Sequence, residues 1–313
     1  MPAYRELRRK HSLLDLVKTP ELATKVTLQP VDAFDVDAAI VFADILTLPE
    51  SMGLKLKFTD GEGPQILNPI RSAEDVERLV VRPPKEALGF TLAALRQVRE
   101  QLNGKVPLMG FSGAPFTLAC YMIEGESSRD FRTTRTFIRE NPKAWHALAA
   151  KLATAVGSYL KAQIEAGAQA IQLFDTWAGT LSEAEYRELA MPYSAQALSL
   201  AWQPAVPIIH FAIGAHLLPL VKQAGGDVIG VDQHIALDEV WRRLGYDVAV
   251  QGNLDPSLLL GPAEEMKKRA ALILDSVRGR RGHIFNLGHG VLKETPVENV
   301  AALLDFVHQH TRT

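Results

Sequence analysis

Short apolar runs alternate with longer amphipathic stretches along this chain, and that rhythm restricts its fold more than any other property. The clearest unit begins at Asn141, which can cap a helix, followed by Pro142, which suits the first helical position. Trp145, Leu148, Leu152, Val156, Leu160 and Ile164 then recur at helical spacing until Gly167 ends the pattern. The next run, AQAIQLF (residues 168–174), is almost continuously apolar, as a strand covered on both faces must be. Ser182 and Glu185 read as a capping box that opens another helix. Six further runs have the same strand character: DAAIVF (37–42), VPLMGF (106–111), VPIIHF (206–211), DVIGV (227–231), DVAVQG (247–252) and GHIFNL (282–287). The segment LKLKFTDGEGPQI (54–66) alternates and contains Asp-Gly, so it reads as a hairpin excursion. Strands separated by helices build a parallel sheet, and the expectation is a single-domain (β/α)8 TIM-type barrel over residues 1–313. Such a barrel closes with eight strands, and this count reaches about seven.

Composition narrows the chemistry. The 313 residues are 47% hydrophobic and 22% charged, enough to build a large core without staples. The one cysteine, Cys120, rules out an internal disulfide, suits a reducing compartment, and leaves no repeated Cys/His spacing for structural zinc. A formal net charge of −2 gives no general attraction to nucleic acid or an anionic membrane. The basic stretch Met1 to Lys10 is followed by no signal-length apolar segment, and no run is long enough to span a bilayer, so a cytoplasmic location is expected. No GxGxxG followed by an acidic residue occurs, which argues against a nucleotide cofactor.

Active sites of α/β barrels lie at the C-terminal ends of the strands, so polar residues just beyond each apolar run are the candidates. Asp44 follows AIVF and is costly to bury without partners; it serves either as a helix cap for the next segment or as an anionic acceptor at the barrel mouth. Tyr121, taken alone, suits a core tyrosine with a satisfied hydroxyl better than a ligand contact. Thr176 and Asp175 follow IQLF and can act as caps. His289, between Gly288 and Gly290, sits where backbone can approach a ligand, or else bonds a neighbouring carbonyl. Asp232, His234 and His210 carry weaker signals, and a histidine on an apolar strand is usually part of the packing.

Read in order, YRELRRKHSLLDLVKTPELA, VDAAIVFADIL, GFSGAPFTLACYMIEG, QLFDTWAG, QGNLDP and FNLGHGVLKETPVENV resemble the uroporphyrinogen decarboxylase family across essentially the whole chain. Each motif is weak by itself, but six in family order make the resemblance specific. It implies an α/β barrel and a cofactor-free, metal-free carboxy-lyase. The reaction implied converts the four acetate side chains of uroporphyrinogen III to methyls, giving coproporphyrinogen III on the way to haem and related pigments. It also implies a homodimer. By motif, Asp44 corresponds to the family's central aspartate, Tyr121 to its substrate tyrosine, Thr176 to its serine or threonine after the LF run, and His289 to its NLGHG histidine. Asp44 would then accept pyrrole N–H bonds and stabilise a cationic intermediate, an oxyanion hole with the signs reversed.

The sequence departs from the family in two places. The family carries a strand ending in Arg-Gln-Ala-Gly-Arg before the segment that here reads YRELR, and its two arginines pair with substrate carboxylates. That motif is absent, so the expectation is a chain lacking the first strand, with Met1-Pro2 at what is elsewhere an internal position, and with reduced turnover as given. Arg8 and Arg129 are substitute cations on this reading, although solvated surface charges explain both as well. Glu126 stands where the family tends to have glycine. Two other functions compete. One is a non-catalytic porphyrinogen-binding relative. The other is a corrinoid-linked methyltransferase of the same superfamily, which would need zinc ligands of a His-x-Cys type that this sequence lacks.

Overall fold

The computed structural model of the chain describes residues 1–59 and 63–312. All seven apolar runs form strands: β1 (Ala39–Ile40), β4 (Leu108–Gly113), β5 (Ala170–Asp175), β6 (Ile208–Ala212), β7 (Val228–Gly230), β8 (Ala249–Leu254) and β9 (His283–Leu287). Each begins one or two residues later than its apolar run. The excursion is a two-stranded antiparallel hairpin, β2 (Leu56–Thr59) and β3 (Gly63–Ile66), whose Asp-Gly turn lies outside the described residues.

The seven strands make one parallel sheet in the order β1-β4-β5-β6-β7-β8-β9. Register shows which face turns inward. Phe111 pairs with Gln172, Phe174 with Phe211, and Gly230 with Gln251, so these residues share one face. On that face Gln251 Nε2 donates to Gln172 Oε1 at 3.4 Å although β6 and β7 lie between their strands. Only a curled sheet brings them together, and the result is a TIM-like half-barrel. Phe111, Phe174 and Phe211 run edge to face along the inner surface, with centroids 5.7 and 5.9 Å apart. The edge strands leave Ile40 and Ile284 exposed.

The helices cover the outer face. In the Pro142–Glu165 helix, Trp145, Leu148, Leu152, Val156 and Leu160 are buried, and Ile164 is half-buried against the same core. Asn141 stands at the N-cap, but its side chain makes no capping bond; Pro142 alone supplies the helix start. The Ser182/Glu185 capping box is formed as expected. The Pro142–Glu165 helix lies close against the Met191–Ala201 helix because Gly157 is small: a Cβ there would sit 2.6 Å from Leu200 Cβ and 2.8 Å from Ala197 O. Among the described residues no helix is long and apolar enough to cross a membrane.

The β1–β4 ladder is short, with Ala39 N bonding Pro107 O and Val41 N bonding Met109 O before it stops. Leu108 O bonds Gln169 N, just before β5, and Ala114 N bonds Phe174 O on it, so the alternation turns the polar groups of Phe111 toward β1, where no strand continues. Gln163, fully buried on the Pro142–Glu165 helix, fills the place: Phe111 N donates to its Oε1 at 2.9 Å and its Nε2 donates to Phe111 O at 2.8 Å. Gly110 makes room, since a Cβ there would lie 2.4 Å from that Oε1. Gln163→Leu leaves two buried backbone groups unpaired and is expected to cost roughly 2–4 kcal/mol in urea or thermal unfolding.

Candidate active site

Asp44 comes just after β1, where the chain has left the sheet. Its position is fixed from the helical side. Thr27, on the Pro20–Ala33 helix, accepts Phe42 N at 2.8 Å and donates to Ala23 O at 2.8 Å, which pins the strand end to the helix. Asp44 then closes a turn: Leu46 N donates to its Oδ1 at 2.8 Å, and Thr47 Oγ1 donates to its backbone carbonyl at 2.7 Å. The carboxyl is half-buried, and no cation neighbours it among the described residues. Burial pushes its pKa up from the ordinary carboxylate range; the Leu46 N–H opposes this, and the Glu50 charge adds to it. One oxygen caps a turn, and the group as a whole is a desolvated acid short of partners.

Tyr121 lies on the Pro115–Glu124 helix, which starts directly after β4. It is half-buried and its hydroxyl makes no hydrogen bond among the described residues, so the expectation of a satisfied core tyrosine is not met. Burial raises its pKa, and the charge of Asp44 raises it further, which places the two groups in one electrostatic neighbourhood. The Tyr121 ring packs on Trp177 with centroids 4.0 Å apart, and Trp177 packs on Phe131 at 4.8 Å. Thr176 precedes Trp177 and is half-buried, with no hydrogen bond from its side chain among the described residues, so the cap is not formed there. Asp175 is not a cap either. Strand alternation turns Phe174 inward and Asp175 outward, where it is fully buried beneath the helices.

His289 follows β9, at the opposite edge of the sheet from β1, and is exposed. Its Nδ1 accepts Gly290 N at 2.8 Å, and it bonds to none of the other three candidates. The loop is seated on a residue that its sequence position did not single out, Gln233. A Cβ on Gly288 would meet Gln233 N at 2.4 Å and its Oε1 at 2.7 Å, while Gly288 N bonds Leu254 O at 2.8 Å. Asp232 braces Gln233 from behind: its carboxylate accepts His234 N at 2.7 Å and Gly214 N at 3.0 Å. Asn253 Nδ2 donates to Asp232 O and Ile235 O, at 2.7 and 2.6 Å. His210 belongs to the packing as expected: it is buried, bonded to Gly225 O at 3.0 Å, and its pKa falls to about 4 through burial.

Arg8 is half-buried and donates to His11 O at 2.8 Å, while Arg129 and Glu126 are exposed. Arg8 lines a cavity of about 1090 Å³ with Arg5, Phe58, Val291 and Lys293. Asp44, Tyr121 and Thr176 do not border it. The electrostatic neighbourhood of Asp44 and Tyr121 is the better guide to chemistry, because a volume between helix and loop carries no reacting group by itself. Among the described residues no cluster of His, Cys, Asp and Glu is placed to hold a metal ion. Gly288→Ala is expected to displace the His289 loop and cost roughly 1–3 kcal/mol in thermal unfolding. Gly290→Ala, whose Cβ would meet nothing within 4 Å, is expected to cost much less.

Residues 1–310 match the family model described as uroporphyrinogen decarboxylase (URO-D). A protein named uroporphyrinogen decarboxylase from Roseiflexus sp. (strain RS-1) is 50% identical over 317 residues, covering 99% of this chain and 91% of its own length. Another of that name, from Chloroflexus aurantiacus (strain ATCC 29366 / DSM 635 / J-10-fl), is 52% identical over 316 residues, with 99% and 88% covered. Among solved structures, a methyltransferase from Methanosarcina mazei has a TM-score of 0.79 at 21% identity, covering 95% of this chain and 90% of that one. A B12-independent methionine synthase from Shewanella sp. W3-18-1 has a TM-score of 0.59 at 12% identity, with 93% and 86% covered. Likeness at such identities establishes the fold alone.

Proposed function

Because the chain belongs to the uroporphyrinogen decarboxylase family, we propose that it removes carbon dioxide from the four acetate side chains of uroporphyrinogen III, giving coproporphyrinogen III, at the strand ends that carry Asp44. A pyrrole acetate loses carbon dioxide once its ring is protonated, because the resulting cation accepts the electron pair left by the broken carbon–carbon bond. The carbanion equivalent is then protonated to a methyl. An anion is therefore needed beneath the ring, and Asp44 is the observation that carries this reading: a desolvated carboxyl, held by its turn, with no cation to neutralise it.

Burial raises the Asp44 pKa in the empty site. Pyrrole N–H donors favour the carboxylate, which opposes the developing cation with little reorganisation. Tyr121, with a hydroxyl left unpaired, Thr176 and His289 would hold the macrocycle and its carboxylates by hydrogen bonds. We extend the proposal to a homodimer working in the cytoplasm. Exposed Ile284, Val291 and Leu292 along the β9 edge support the first, and lone buried Cys120 suits the reducing compartment. The methyltransferase fold likeness brings no support for that chemistry, since the single cysteine is buried and offers no thiolate pair.

The test is anaerobic incubation with reduced uroporphyrinogen III, following carbon dioxide and the loss of carboxyl groups. Binding without release would place the chain among non-catalytic binders. Asp44→Asn is expected to lower kcat/KM on the order of a hundredfold, about 3 kcal/mol, without comparable loss of thermal stability. The charge of Glu50, bound by Lys18 at 2.7 Å, helps raise the Asp44 pKa. Activity should fall as pH drops through that raised value, and Glu50→Gln should move the acid limb of the kcat/KM profile to lower pH.

A further inference from the structure

A chain of contacts runs behind the mouth from the end of β5 to the Tyr121 ring. Asp175, fully buried, accepts Thr117 Oγ1 at its Oδ1, at 2.9 Å. The same hydroxyl accepts Trp177 N at 3.3 Å. A hydroxyl has one proton to give, and Thr117 spends it on Asp175 while a lone pair holds the strand-end backbone. Thr117 lies one helical turn before Tyr121, so both share a face of the Pro115–Glu124 helix. The Trp177 indole packs on Tyr121 and, on another side, on Phe131.

We propose that Asp175 and Thr117 are positioning residues that lock the Pro115–Glu124 helix to the end of β5, and so set the height of the Tyr121 hydroxyl and the place of Thr176 at the mouth. This rests on reading Tyr121 as a substrate contact. Neither Asp175 nor Thr117 meets substrate. They act through Trp177, whose backbone they hold and whose ring supports Tyr121.

The surroundings of Asp175 favour its neutral form, against the bonds from Thr117. Its Oδ2 has no partner among the described residues. The titratable groups facing it are Cys120 on the Pro115–Glu124 helix and Tyr186 on the Glu183–Leu189 helix. Both are held neutral by burial, and no cation acts on Asp175. Burial raises its pKa to about 7, against the opposing bonds from Thr117. Below that value the acid is neutral and its carbonyl-like Oδ1 receives Thr117. Above it, the charge is held in an apolar layer by the Thr117 bonds alone, which puts a desolvation cost on this packing.

The test uses the full chain in anaerobic steady-state assays with uroporphyrinogen III, together with Trp177 emission taken as the difference from Trp177→Phe. Thr117→Val removes both hydroxyl bonds while keeping shape, and is expected to raise KM about tenfold with a smaller change in kcat and to shift the Trp177 emission. The unsubstituted chain is expected to show KM rising as pH increases through about 7, the value to which Asp175 is pushed. Asp175→Asn keeps an acceptor for Thr117 but cannot ionise, and should abolish that rise. Wild-type KM and emission in Thr117→Val would overturn the proposal, as would an unchanged alkaline rise in Asp175→Asn. If Thr117→Val does not fold, the Asp175→Asn profile decides alone. A wild-type KM in Tyr121→Phe overturns the assignment of Tyr121 itself. An impaired Tyr121→Phe beside a wild-type Thr117→Val overturns the positioning proposal only.

Discussion

The β1–β4 ladder ends at Val41 and Met109, and the backbone groups beyond it must find partners that a neighbouring strand would otherwise supply. Two side chains answer. Thr27 takes the N–H of Phe42, and Gln163 takes both polar groups of Phe111. The first lets the chain leave the sheet at Phe42 and turn at Asp44 with its carboxyl at the strand end. The second keeps β4 extended to Gly113, so that the Pro115–Glu124 helix, and Tyr121 on it, begin at a fixed level. A longer β1 would have continued the ladder and carried Asp44 elsewhere.

Parity along β5 separates chemistry from support. Gln172 and Phe174 fall on the inward positions, Leu173 and Asp175 face the helices, and Thr176 follows in the turn after the strand. One step in sequence thus divides a half-buried threonine at the mouth from a fully buried acid in the outer layer. Asp44 and Asp175 are both desolvated and both lack a cation, yet their surroundings differ. Asp44 is half-buried and receives one backbone N–H, leaving capacity for donors from a ligand. Asp175 is closed in, so its raised pKa is spent on holding structure.

The architecture was legible because it rests on periodicity. Covered strands cannot carry many polar residues, and the seven apolar runs announced seven strands. The Ser182/Glu185 box depends on two residues three apart and was read correctly. Asn141 shares the composition of a cap but sits at φ −131° and ψ 56°, and its side chain makes no capping bond. Composition at a helix start states what a residue can do, and the approach of the chain decides whether it does. Asp175 looked like a cap for a related reason: a residue just past a strand reads alike on either face, and one position of uncertainty in the strand start reverses the answer.

The seat of His289 was hidden for a different reason. Gln233 touches Gly288 across more than fifty positions of chain, and no local pattern signals that a glutamine backbone will lie where a Cβ would go. The glycine itself is visible in the sequence, where the histidine it flanks has two readings, room for a ligand or a bond to a neighbouring carbonyl. The geometry gives it another cause: Gly288 is needed because protein, braced by Asp232 and Asn253, already occupies the space. His289 is thereby held at the rim by packing beneath it while its ring stays exposed. A donor in that position pays little desolvation in the empty site and, with Nδ1 engaged by Gly290 N, keeps Nε2 open, the converse of Asp44 on the opposite edge of the sheet.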